Sequence, residues 1–219
     1  ELLPFTDERV AVEDFKTGQC DAVMATALRT RQFNATAAAL DSLGASSIVR
    51  KGKMDLPASY EVVRRFIQTL STPKAASLMT EGQFEVAGIF PLGAAYAFMN
   101  DRSLATLDAM AGKRIGAFDH DKAQAQLIIK MGARPVSVDI NNVGSTFNNG
   151  NVDIVAVPAV AYRPFELYRG MGKKGGVLRF PLGISTYQMV IRPGKFPPNF
   201  GQYSREYIVL HFDLAMATL

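Results

Sequence analysis

Six residues recur at one fixed separation along the chain, and that recurrence limits the fold more than any other feature. Phe15, Gly18, Asp21, Val23, Arg31 and Phe33 return as Phe147, Gly150, Asp153, Val155, Arg163 and Phe165, with one ungapped offset of 132 (from 15 to 147, and from 33 to 165). In each copy a helix ends at Gly, an Asp opens a buried strand, and an Arg-x-Phe begins the next helix. Helix–Gly–strand units look alike in any α/β protein, but six matches at one offset favour two structurally equivalent lobes. The spacing is too long for a solenoid, whose repeats run to about 20–45 residues.

Helix and strand signals alternate along the rest of the chain. Residues 7–17 predict a helix closed by Gly18, and 20–26 a short buried strand. An Ala-rich helix is expected near 34–43. Another runs from Pro57 to about Leu70, with Pro in its first turn and apolar residues at Val62, Val63, Phe66, Ile67 and Leu70. Residues 84–90, 94–99 and 114–118 predict strands, and a helix from Lys122 to Met131 is closed by Gly132. Strand 134–139, a short helix through Phe147, strand 152–157 and helix 160–169 follow. Strands near 177–180 and 185–191 and a Pro-led helix from Pro198 complete the order. Such alternation implies a largely parallel sheet covered by helices. A strand, a helix and a second strand precede the second copy of the repeat, whereas only Leu2 to Thr6 precede the first. A lobe without those elements leaves an open sheet edge and an apolar surface, so the sequence is expected to be N-terminally truncated.

Composition narrows the function classes. Hydrophobic residues at 48% and charged residues at 20% argue against disorder, and no apolar run reaches the roughly 20 residues that span a bilayer. The 24 basic and 20 acidic residues leave +4, with basic pairs at Arg64-Arg65, Lys113-Arg114 and Lys173-Lys174 dispersed along the chain. Nucleic-acid binders gather such charge on one element, so no nucleic-acid partner is expected. Cys20 is the only cysteine, and His120 and His211 stand far apart, which argues against a disulfide and a metal site. Residues Gly170 to Gly175 satisfy G-x-G-x-x-G but follow a helix and precede a strand, the reverse of a dinucleotide site. No nucleophile elbow, Walker loop or acid–base pair stands out, so neither a cofactor nor a catalytic residue is expected.

Residues 104–165 resemble the second lobe of the solute receptors of TRAP-type transporters. Leu107-Asp108-Ala109-Met110-Ala111-Gly112-Lys113-Arg114-Ile115 is similar to their entry strand, and Lys130-Met131-Gly132-Ala133-Arg134-Pro135-Val136 to the segment that follows. Phe147 to Asp153 resembles their "LQ-G-VDG" motif, and Phe15 to Asp21 its first-lobe mate. Tyr162-Arg163-Pro164-Phe165-Glu166-Leu167-Tyr168 and Ile191 to Gly201 are similar to the branch sometimes labelled as components of aminoglycoside efflux. The resemblance implies an α/β, two-lobed fold of the type II periplasmic-binding-protein kind. Lobe 1 would be 1–92 completed by 188–219, and lobe 2 would be 93–187. It also implies a periplasmic, monomeric, non-enzymatic receptor that passes a small-molecule solute to membrane permease subunits. The arginine that forks onto a ligand carboxylate in carboxylate-binding receptors corresponds here to Gly116, and a common Asn to Val157. Either Gly116 is a packing residue with another arginine substituting, or the ligand class has changed.

Ligands of parallel α/β sheets sit beyond the C-terminal strand ends, which directs attention to Thr26–Arg31, Asp119–Asp121 and Pro158–Arg163. Asp121 is the expected helix N-cap, leaving Asp119 and His120 as ligand candidates. Arg29 and Tyr162 are candidates too. Arg31 and Arg163 share a repeat position and read either as ligand groups or as structural. Pro158, Tyr96 and Tyr187 complete the expected set, the two tyrosines on strands that could cross between lobes. Two rival readings remain: the effector-sensing domain of a transcription regulator, and a small-molecule enzyme using Asp119 and His120.

Overall fold

The computed structural model describes residues 1–42, 45–119 and 121–217. The chain divides into two compact units, Glu1–Gly93 with Gly183–Leu219, and Ala94–Leu182. The first stretch of unit 1 holds α1 (Glu8–Thr17), β1 (Ala22–Thr26), α2 (Ala27–Thr30) and α3 (Ala35–Ala38). It continues through β2 (Val49–Arg50), β3 (Lys53–Met54), α4 (Leu56–Leu70) and β4 (Thr80–Glu81). The long strand β5 (Phe84–Met99) then carries the chain into unit 2. There follow α5 (Leu107–Met110), β6 (Arg114–Phe118), α6 (Lys122–Lys130), β7 (Arg134–Val138), α7 (Val143–Asn148), β8 (Ile154–Pro158), α8 (Leu167–Met171) and β9 (Gly176–Val177). Strand β10 (Gly183–Ile191) and helices α9 (Phe200–Leu210) and α10 (Phe212–Met216) belong to unit 1 again. Among the described residues no helix is long and apolar enough to cross a membrane.

Unit 1 is built on β1 and β10, which pair antiparallel from Ala22↔Ile191 to Thr26↔Tyr187. Asp7 starts α1 by accepting from the Arg9 amide at 2.8 Å, and the helix lays Ala11, Val12 and Phe15 into the core. Asp55 caps α4 by accepting from the Ala58 amide at 3.1 Å, and Pro57 sits in its first turn, where no amide donor is needed. Ser59, Val63, Ile67 and Leu70 recur at the spacing of one helix face and are buried. Phe15, Phe33 and Phe84 meet at the centre with ring centroids 4.7–5.3 Å apart.

Unit 2 keeps the parallel pairings. β6 pairs parallel with β7 over Arg114↔Arg134 to Phe118↔Val138, and with β8 at Ile115↔Ile154. β8 pairs antiparallel with β5, from Ala95↔Pro158 to Met99↔Ile154. One core layer collects Ile115, Ala117 and Ile128, and the other Val138, Phe147, Val155 and Leu167. The α/β class therefore holds, but the sheet is mixed: β10 runs antiparallel beside β1 and β5 antiparallel beside β8, while β6 runs parallel to both β7 and β8.

The repeat is a structural fact. β1 and β8 begin and end 132 residues apart, at Ala22–Thr26 and Ile154–Pro158. Phe15 and Phe147 are both wholly buried. Gly18 and Gly150 close the preceding helices at φ 87° and 71°, a left-handed conformation that glycine adopts without strain. The hydrogen bonds repeat too: Gln19 N donates to Asp14 O at 2.8 Å, and Asn151 N to Thr146 O at 3.0 Å.

Two expectations are corrected. Residues 84–99 form one strand rather than two, because Pro91 and Gly93 fall within β5 without ending it. No continuous helix covers 160–169: a 3₁₀ turn occupies Ala159–Ala161, and Glu166 adopts φ 51° before α8 starts at Leu167.

Candidate functional site

In unit 1 the C-terminal end of β1 carries a polar cluster. Thr26 donates to the Glu8 carboxylate from its amide at 3.2 Å and from its hydroxyl at 2.9 Å. Tyr187 is the register partner of Thr26. Burial pushes its phenol up to about 12, and the charge of Glu8 and a hydrogen bond donated to Glu8 add to that effect. Glu8 opens α1, so one carboxylate ties a helix start, a strand end and β10 together. Arg29 lies half-buried on α2, one turn beyond. Sequence reasoning pointed to Thr26 and Tyr187 but missed Glu8, since an acid in a first helical turn reads as a complement to the helix dipole.

Arg31 follows Arg29 by two residues and is exposed. Its guanidinium donates to Ala38 O and Ser42 Oγ, both at 3.3 Å, which ties it to the α3 segment. Those two bonds support the structural alternative for Arg31. Beneath it, Asp41 accepts from the Thr186 amide at 2.7 Å and from the Thr186 hydroxyl at 2.6 Å. The Thr30 hydroxyl donates to Gln188 Oε1 at 2.7 Å, and all of Thr30, Thr186 and Gln188 are buried.

Burial raises the Asp41 carboxyl to about 6, outweighing Thr186 and the charge of Arg31. The folded chain thus holds this proton more tightly than the unfolded one, and the associated stability is present below the ordinary value of 3.8 and lost as pH rises through about 6. Asp41→Asn keeps an acceptor for the amide and a donor for the hydroxyl. Urea unfolding of the two proteins is expected to show the variant gaining about 2 kcal/mol on wild type between pH 4 and 7. Parallel pH profiles would contradict that assignment.

In unit 2, Asp121 caps α6 by accepting from the Gln124 amide at 2.9 Å, and Gln124 Oε1 accepts from Phe118 N at 2.8 Å. Asp119 follows β6, is exposed, and donates its amide to Val138 O at 3.0 Å. His120 lies outside the described residues. Pro158 ends β8 half-buried, and Arg163 is exposed. Tyr96 pairs with Val157 on β5 and packs against the core layer of Phe147 and Val155. Tyr162 stacks on Phe98 at 6.0 Å and meets the edge of Tyr168 at 6.1 Å, so much of its ring serves packing. Gly116 is buried, and a Cβ built on it would lie 3.2 Å from Val155 Cγ1 and 3.5 Å from Val138 Cγ2. Any side chain there points into the apolar layer. Gly116 is a packing residue.

Within unit 1, Tyr187 pairs with Thr26 at the end of β1, and Arg29 follows on α2. Within unit 2 it brings Asp119, Pro158 and Arg163 to the C-terminal ends of the parallel strands. A groove of about 530 Å³ between α7 and residues 164–169 contains none of the expected residues.

Residues 1–218 match the sequence profile of the family described as Solute-binding protein AdeT 1/2. The chain belongs to this family. Within the AdeT 1/2 family, it is 44% identical over 207 residues to "Probable solute-binding protein AdeT1" of Acinetobacter baumannii, covering 94% of this chain and 64% of that one. It is 28% identical over 151 residues to "Probable solute-binding protein AdeT2" of the same organism, covering 69% of this chain and 63% of the relative. The chain therefore spans less than two thirds of the length of the curated relatives it matches. Among solved structures, the TRAP periplasmic solute binding protein of Xanthobacter autotrophicus Py2 with bound β-D-galacturonate superposes with a TM-score of 0.72. It is 12% identical, and the match covers 97% of this chain and 68% of that one. The Desulfovibrio salexigens protein with bound orotic acid gives 0.70 at 14% identity, covering 96% and 64%. The apo, open Marinobacter aquaeolei VT8 protein gives 0.69 at 16%, covering 100% and 68%. At such identities the likeness establishes the fold, that of the TRAP periplasmic solute binding proteins, for this AdeT 1/2 family member.

Proposed function

We propose that the protein is a non-enzymatic, periplasmic, monomeric solute receptor that captures a small molecule between two lobes and delivers it to the permease subunits of a membrane transporter. The observation that carries this reading is the repeated strand-and-turn plan. Thr26–Arg31 and Pro158–Arg163 stand at equivalent strand ends of two equivalent units, as expected of a receptor whose halves each offer one surface to a guest. Membership of the AdeT 1/2 family supports the solute-binding reading. Solute would shift an open–closed equilibrium by its greater affinity for the closed form.

Arg29 and Tyr187 from unit 1, and Asp119, His120, Pro158 and Arg163 from unit 2, are the proposed ligand-facing residues. Tyr162 would offer its ring edge, since its face stacks on Phe98, and Tyr96 would offer what its packing on the core leaves open. Native mass spectrometry of the protein purified from a cell lysate is expected to reveal a co-purifying small molecule; a ligand-free protein after exposure to a broad metabolite mixture counts against capture. With that solute in hand, calorimetry separates the two arginines. Arg29→Ala is expected to weaken binding about tenfold or more, the effect of losing a charge-assisted hydrogen bond. Arg31→Ala is expected to leave affinity unchanged and to lower stability, because its donors already serve Ala38 and Ser42. Equal losses for the two variants would remove the distinction.

A further inference from the structure

Basic residues that are scattered in the sequence are gathered by unit 2 at one end of its sheet. β6 and β7 run parallel with Arg114 opposite Arg134, so both strands start with an arginine on the same edge. Arg134 N donates to Lys113 O at 2.7 Å, which adds Lys113, and Lys130 ends the helix that leads into β7. Asp153 N donates to Arg114 O at 2.7 Å, bringing the start of β8 alongside. β5 runs antiparallel to β8, so its C-terminal end also arrives there. Just beyond it, Arg102 donates to Lys173 O at 2.7 Å and its amide to Lys174 O at 2.9 Å, which fixes the two lysines to the same pole.

All seven of these basic side chains are exposed. Opposing them are Asp101, Asp108 and Asp153, the last of which is bound to Arg114 at 2.7 Å. The pole thus carries an excess equal to the +4 of the entire chain, and the remaining residues balance. The proposed ligand residues Asp119, Pro158 and Arg163 lie at the opposite ends of these strands. Helix dipoles account for Lys130 at the end of α6, but not for arginines that open strands or for lysines on a loop.

We propose that this pole of unit 2 binds the surface of an anionic phospholipid bilayer. A protein partner would need a complementary surface with an apolar core, whereas a dispersed set of like charges on strand starts and a Gly-flanked loop suits a charged lipid plane. Exposed Leu107 and Ile129 stand on α5 and α6, whose ends are joined by the bond from Gly112 N to Gly132 O at 2.8 Å. They supply apolar contacts of the kind that interfacial binding adds to charge. Bound this way, the ligand end of unit 2 would stay turned from the membrane, and the receptor would be concentrated beside it.

The test is sedimentation of the whole chain with vesicles of phosphatidylethanolamine and phosphatidylglycerol, and with vesicles of phosphatidylcholine alone. Binding to the anionic vesicles is expected, with little to the neutral ones, and with loss at about 1 M salt, where the Debye length is about 3 Å. The variant K113E/K173E/K174E is expected to lose affinity about a hundredfold, from a factor of about five for each basic side chain removed. A second variant, K130E/R134E, removes charge from other elements and must weaken binding as well; circular dichroism establishes that each variant is folded. Equal binding to both vesicle types, or binding kept by both variants, overturns the proposal. So does binding to native membranes combined with none to protein-free lipid, which would assign the pole to an acidic protein. None of these results requires a solute, so they stand apart from the capture experiments.

Discussion

Glu85→Ala is expected to destabilise unit 1 by about 3–5 kcal/mol, the usual cost of leaving a buried charge without its partner. Arg205 is only 2% exposed and holds Glu85 at 2.7 Å, while the same terminal nitrogen donates to Val86 O at 2.7 Å and its neighbour to Gln202 Oε1 at 2.9 Å. Its Nε is buried without an acceptor, so the guanidinium depends on the carboxylate for charge balance. A Cβ on Gly201 would lie 2.1 Å from Glu85 Oε1, so the glycine opens the start of α9 to the acid. Adding Arg205→Met to Glu85→Ala should recover much of the loss, because a buried ion pair is often replaceable by apolar groups even when half of it is not. Urea denaturation measures both. A Glu85→Ala protein within 1 kcal/mol of wild type, on the order of a surface substitution, would refute the buried-pair reading.

Gly116→Arg carries the second large effect and bears on the ligand. The resemblance places a carboxylate-binding arginine at this position, so by that resemblance the substitution restores a lost contact. The geometry predicts the reverse. The new side chain would enter between Val155 and Val138, both nearly inaccessible to solvent, and drive a guanidinium into the layer that holds Phe147. Overpacking and the burial of an unpaired charge together should cost at least about 4 kcal/mol. Gly116→Ala, with one tight contact at 3.2 Å, should cost about 1 kcal/mol. A folded, stable Gly116→Arg protein that gains affinity for sugar acids would show that the position opens toward the solute. Failure of that gain, with the expected instability, leaves carboxylate recognition to some other group, and Arg29 is the half-buried arginine nearest the end of β1.

Much of this architecture was legible in the sequence because it rests on local signals. Strand β6 falls at the residues its apolar pattern marks, and Asp121 caps α6 as an Asp before a helix should. The repeat was legible because Gly18 and Gly150 occupy a backbone conformation that few other residues tolerate. Long-range effects were not legible. Pro91 and Gly93 signal a break, yet β5 passes through them as the chain leaves unit 1 for unit 2. The mixed sheet depends on β10 returning beside β1, and no residue within β1 announces its partner. Residues 160–169 carry helical residues, but Pro164 and the left-handed Glu166 divide them. For the site, the bonds from Arg31 to Ala38 and Ser42 depend on how α3 folds back, which no local pattern around Arg31 announces. The basic residues of unit 2 look dispersed until parallel strands align their first residues.

The proposal stands on a guest being enclosed by two units of one design. Small-angle X-ray scattering of the protein, without and with the co-purifying solute at saturation, tests that enclosure directly. A smaller radius of gyration in the bound state is the predicted result; an identical radius, with binding independently verified, would contradict it.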